Sequence, residues 1–167
     1  VVDYETNDSA NSTYNYGGRG MVKFFDQKAE VGATYVHEDQ DSSAGDLYGL
    51  DAAFSIGKNT QLRAEAATTR TENFGDDEKG NAYLVELAHR SEKLDGSLYA
   101  REQQEDFGLG QQNGSESGTR KLGVEASYRF TQDMSVGGLA YRQYNLATDA
   151  KRDFAETSVN YRKDRFS

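Results

Sequence analysis

Asp46-Leu-Tyr-Gly-Leu-Asp-Ala-Ala-Phe-Ser-Ile56, Gly57-Lys58-Asn59 and Thr60-Gln-Leu-Arg-Ala-Glu-Ala-Ala-Thr-Thr-Arg70 follow one another without a break. The two outer stretches alternate apolar and polar residues with a period of two. The middle one is short and opens on glycine. Side chains of a strand point alternately to opposite faces, so this pattern predicts two antiparallel strands joined by a tight turn. The scheme repeats along the chain. Strands are expected at 14–25, 29–37, 81–90, 94–102, 119–130, 134–144 and 152–161. Short turns are expected at 26–28, 91–93 and 131–133, and polar loops at 38–45, 71–80, 103–118 and 145–151. Short and long connections alternate, which predicts an all-β, antiparallel, up-and-down sheet.

The faces sort by chemistry. Tyr48, Leu50, Ala52, Phe54 and Ile56 lie on one side of their strand. Leu62, Ala64, Tyr83, Val85, Leu87, Leu98, Leu122 and Val124 continue that side on other strands. Across the pleat fall Arg63, Glu65, Glu86, Arg101, Glu125 and Arg129. A soluble sheet would turn the apolar side to a core. A transmembrane barrel would turn it to lipid and line its interior with the charged set. Arginine interspersed with glutamate suits a confined interior in which charges neutralise one another. Phe54, Tyr128, Phe130 and Tyr161 sit at strand ends beside the short turns, as an interfacial girdle would. The expected fold is therefore an up-and-down transmembrane β-barrel of about 8–10 strands. One strand, 134–144, fits neither face cleanly, because Arg142 and Gln143 point opposite ways.

Composition bounds this reading. The 167 residues carry a formal net charge of −9 and suffice for one domain, 1–167. Mean hydropathy is −0.88, and no apolar run reaches the roughly 18 residues of a spanning helix. A barrel evades that test, since only alternate residues meet lipid. Proline is absent, as a chain of nearly continuous ladder requires. Cysteine is absent too, which removes disulfides and thiolate metal sites. The first 13 residues read as a clipped strand plus loop. Counting them gives ten strands. Starting at Ala29 gives eight, with the first 28 residues as an arm or plug. A segment of a larger barrel, completed by further strands of a parent protein, is a third reading.

The stretch Asn81-Ala-Tyr-Leu-Val-Glu-Leu-Ala-His-Arg90 through Gly123-Val-Glu-Ala-Ser-Tyr-Arg-Phe130 resembles a Gram-negative outer-membrane β-barrel. Asp106-Phe-Gly-Leu-Gly-Gln-Gln-Asn113 is similar to a loop in barrel regions of large proteobacterial outer-membrane proteins. The resemblance implies an outer-membrane location and outer-membrane lipid as partner. It brings no catalytic residues, because function does not follow from fold.

Chemical motifs are sparse. His89 is expected on the outward face near a turn. His37-Glu38-Asp39 opens an expected outer loop and carries the single catalytic suspicion, that of a rim hydrolase. Asp39-Gln-Asp41 and Asp76-Asp77-Glu78 lack calcium-loop spacing and read as solvated loops. Excess acid in the loops, with Glu105, Asp106 and Glu116 among it, argues against nucleic acid. No cofactor or metal is expected. The expected role is structural, anchoring or narrow-channel and non-enzymatic, with Arg63, Glu65, Glu86, Arg101, Glu125 and Arg129 setting interior electrostatics. A soluble adhesin-like module, using loops 71–80 and 103–118 as its binding surface, is the alternative from another class.

Overall fold

The computed structural model describes residues 14–40, 43–73, 76–109 and 116–162. It is one antiparallel sheet of nine strands in chain order. These are β1 (Tyr16–Phe24), β2 (Ala29–Gln40), β3 (Ser43–Ile56), β4 (Thr60–Asn73), β5 (Asp76–Arg90), β6 (Leu94–Gln103), β7 (Thr119–Arg129), β8 (Met134–Asn145) and β9 (Lys151–Tyr161). The all-β, up-and-down expectation holds. Closure does not: β1 and β9 are the edges, and no pairing joins them among the described residues. Among the described residues the count is nine, within the expected 8–10 and one for each strand expected from residue 14 onward. The clipped strand expected before residue 14 lies outside the described residues.

Two expected loops are strand instead. Glu38 pairs with Gly45 and Gln40 with Ser43, so β2 and β3 run through most of 38–45. Thr71 pairs with Glu78 and Asn73 with Asp76, so β4 and β5 fill most of 71–80. The acidic side chains there hid a regular ladder. The short turns fall where expected. At the first, Phe25, Asp26 and Gln27 take left-handed φ values of 51°, 54° and 67°. That is uncommon for non-glycine residues, and Lys28 N closes the turn on Phe25 O at 3.1 Å. Gly57 supplies φ 68° at the β3–β4 turn, where it carries no steric cost. At the β8–β9 connection the Asn145 side chain accepts from Ala147 N and Thr148 N at 3.1 and 2.8 Å, a side-chain-closed turn.

Almost none of the sheet is covered. Leu47, Phe107 and Leu109 are the buried hydrophobic residues among those described. Leu50, Leu98 and Val159 are 64%, 58% and 67% exposed. A folded chain of this size normally buries most of its surface around one core. Among the described residues nothing covers the apolar face. The opposite face receives residues 104–109, which fold onto it; it is called the inner face below.

The apolar zone of the outer face runs obliquely to the ladder. On β3 its upper border falls between Asp46 and Tyr48. The row through Ala52 passes Val31, Ala64, Val85, Ala100 and Leu122, then reaches Arg142 and Asp153. On β9 the first apolar outward residue is Ala155. Its row leads back through Ala140, Val124, Leu98, Leu87 and Leu62 to Phe54, six residues beyond Tyr48. The border thus descends six residues over the six steps from β3 to β9. With a rise of about 3.3 Å per residue and strands about 4.8 Å apart, that is a slope of roughly 35°. The zone keeps its height: it spans Tyr48 to Ile56 on β3 and Leu122 to Phe130 on β7. This also accounts for Arg142, whose row lies above the border by the time it reaches β8.

Candidate functional site

The inner face carries the charges. Arg63, Glu65, Glu86, Arg101, Glu125 and Arg129 all lie on it, as strand alternation requires. Three of them meet. Arg63 opposes Glu86 in the β4–β5 ladder, with Nη1 3.8 Å from Oε2, and its Nε lies 3.7 Å from Glu65 Oε1. These are ion pairs without close hydrogen bonds. The others go elsewhere. Glu125 accepts from Ser97 Oγ at 3.3 Å. Arg129 donates to the Glu92 carbonyl at 3.3 Å. Arg101 reaches Glu116, a residue of the β6–β7 connection.

A second charged group escaped the sequence reading, because it begins in glycine-rich β1. Arg19 donates from Nη2 and Nε to the two carboxylate oxygens of Asp51 at 2.6 and 3.3 Å. This two-point geometry is the strong form of the pair. Lys23 Nζ lies 3.5 Å from Glu30. Cations and anions alternate across β1 to β5, so the belt is close to neutral.

Above the belt sits the fold of residues 104–109. Phe107 and Leu109 pack on Leu47, with Val36, Ala67 and Ala82 around them. Burying each contributes about 2 kcal/mol before the cost of ordering the chain. Thr69, fully buried, fixes the backbone at both sides of Phe107: its Oγ1 donates to Asp106 O at 3.3 Å and accepts from Gly108 N at 3.1 Å. Gln104 Oε1 accepts from Asn81 N and Nδ2, both at 2.9 Å. Gly80 permits the approach, because a Cβ there would collide with the Asp106 and Phe107 backbone. The sequence predicts a long polar loop at 103–118, a binding surface only in the adhesin-like alternative. Residues 104–109 instead turn inward, and the signal is Phe107 and Leu109 themselves, two apolar residues at strand spacing on either side of Gly108.

Beneath the fold lies a cavity of about 180 Å³ lined by Glu65, Arg101, Gln103, Phe107, Glu116 and Thr119, among others. Lys121 Nζ stands 3.3 Å from the Glu116 oxygen that Arg101 also engages. Lys121 lies over the Tyr141 ring at 4.0 Å and Arg101 over Tyr99 at 5.0 Å.

The histidines lie on the outer face. His37 belongs to β2, not to a loop. Its Nδ1 is 2.9 Å from Asp46 Oδ1, the same oxygen that accepts from Tyr35 OH at 2.8 Å. The Tyr16 ring lies 4.8 Å away. His89 lies beside the β3–β4 turn, with Nδ1 2.9 Å from Thr60 Oγ1. Tyr16, Tyr35 and Tyr48 form an aromatic row at the upper border of the apolar zone. Phe24, Phe54, Tyr128, Phe130 and Tyr161 are exposed near its lower border. Just above the upper border come ion pairs: Arg70 with Asp77, Arg120 with Glu102, and Arg142 with Asp153, each at 2.6 Å. No family model matches the chain, and no curated protein and no solved structure matches it.

Proposed function

We propose that this sheet is the wall of a transmembrane β-barrel of a bacterial outer membrane, acting as an anchoring element or narrow channel. The observation that carries the reading is the oblique apolar zone. Strands of a membrane barrel tilt about 35–45° to its axis, so a level lipid band must cross the ladder at that angle. A slope of roughly 35° is what one residue per strand gives. Eight residues along a strand measure about 26 Å, or about 22 Å along the axis, against an apolar belt about 25 Å tall. Aromatic residues at both borders and ion pairs above the upper one fit interfacial chemistry.

A soluble sheet would have to cover the same face with a second layer, which the described residues do not supply. The two free edges call for at least one more strand, and bacterial single-chain barrels have even counts. That strand comes from residues outside the described ones or from a parent protein, and a detergent-dependent band shift of the chain alone favours the first. Inside, the charge belt and the inward fold of residues 104–109 suit a narrow or plugged lumen better than a wide pore.

The test is refolding from urea into detergent micelles and, in parallel, into plain buffer. Far-UV circular dichroism and the gel mobility of unheated against heated samples are read on each. A β spectrum and a heat-dependent band shift that require detergent support the reading. A cooperative β fold in buffer alone would replace it with the soluble binding module.

A further inference from the structure

We infer that Arg101 and Lys121 form an inner-face binding site for carboxylate-bearing solutes, which the chain's own Glu116 occupies as a stand-in ligand. The inference extends the proposed narrow-channel role and rests on that reading for its physiological setting.

Three features point to an external ligand. Glu116 uses the arginine incompletely: Arg101 donates from Nη2, while its Nε–H is buried without a partner among the described residues. A guanidinium meets a carboxylate best through two parallel donors, and a buried donor left unpaired is costly. A carboxylate approaching side-on could take Nε and Nη2 together while Lys121 Nζ holds its second oxygen. Both cations are also held in place by rings, Arg101 over Tyr99 and Lys121 over Tyr141. Tyr99 lies against Gly123, where a Cβ would collide with its ring. Tyr141 stacks on Phe154 with centroids 5.2 Å apart. Finally, the cavity of about 180 Å³ reaches Arg101 and Glu116. Two cations converging on one carboxylate oxygen select a carboxylate.

Glu65 also lines this cavity. Glu116 is tethered, so it competes at an effective concentration of roughly millimolar. An external carboxylate therefore binds weakly until Glu116 is neutralised or drawn away.

The test uses the full chain refolded with detergent and a fluorine NMR titration with 4-fluorobenzoate. Glu116→Gln should bind the probe at least about tenfold more tightly than the parent chain. Adding Lys121→Gln, or Arg101→Lys, which keeps charge but removes the fork, should each reverse that gain. Equal affinity of parent and Glu116→Gln would overturn the site. So would a Glu116→Gln affinity indifferent to both further changes. Circular dichroism and the band shift are read on the same samples. Binding without a detergent-dependent shift would sink the membrane reading and keep the site. A shift without binding would do the reverse.

Discussion

Leu122 and Arg142 oppose each other directly in the β7–β8 ladder, on the same outward face. One is apolar and half-exposed. The other is charged and forms two hydrogen bonds to Asp153, at 2.6 and 3.0 Å. Alternation places both correctly and cannot explain the change of chemistry between them. A border that steps down one residue per strand does, since it passes between Leu122 and Arg142. Cross-strand neighbours are thus sorted by depth along a tilted axis as well as by face.

Thr69→Val should loosen the inward fold without disturbing β4. The change leaves Gly108 N and Asp106 O without their buried partner, a cost of about 1–3 kcal/mol. Faster proteolysis within 104–118, at an unchanged far-UV spectrum, is the expected outcome. An unchanged cleavage rate would mean that the two hydrogen bonds contribute nothing.

Gly80→Ala should act on the same segment by steric expulsion. Its Cβ meets backbone, which cannot rotate away. Solvent exchange of the 106–109 amides should rise well above that of the parent chain. Retained protection would show that the close approach is dispensable.

The charge belt should respond unequally. Arg63→Ala leaves Glu65 and Glu86 without a cation that lies 3.7 and 3.8 Å from them. Partial exposure limits the loss to about 1 kcal/mol. Arg129→Ala removes one bond to a carbonyl near an exposed turn and should cost less. Urea titrations of the single variants and the double variant read both. A larger loss for Arg129→Ala would contradict the inner-face pairing.

Much of this fold was legible. The turns at 57–59 and 91–93 lie between clean period-two runs, and alternation put Arg63, Glu65 and Glu86 on one face. What stayed hidden has a physical cause. Above the apolar zone both faces of a strand are polar, so Glu38 to Gln40 and Asp76 to Lys79 carry no alternation to read. Arg142 looked misplaced because the border it crosses is oblique to the register. Glu116 reads as one more loop acid until the chain returns it to Arg101 and Lys121. The pairing of Arg19 with Asp51 spans β1 to β3, and no local pattern announces it.

Val31 and Leu122 give the most direct test of the proposed membrane band. They share one ladder row, both face outward, and they are 48% and 50% exposed. A tilted band puts Val31 near its middle and Leu122 at its upper border. Folding free energies in lipid vesicles should therefore separate the arginine variants. Val31→Arg should cost about 2–4 kcal/mol and Leu122→Arg about 0–1 kcal/mol. Equal costs would contradict the oblique band and the membrane embedding that rests on it.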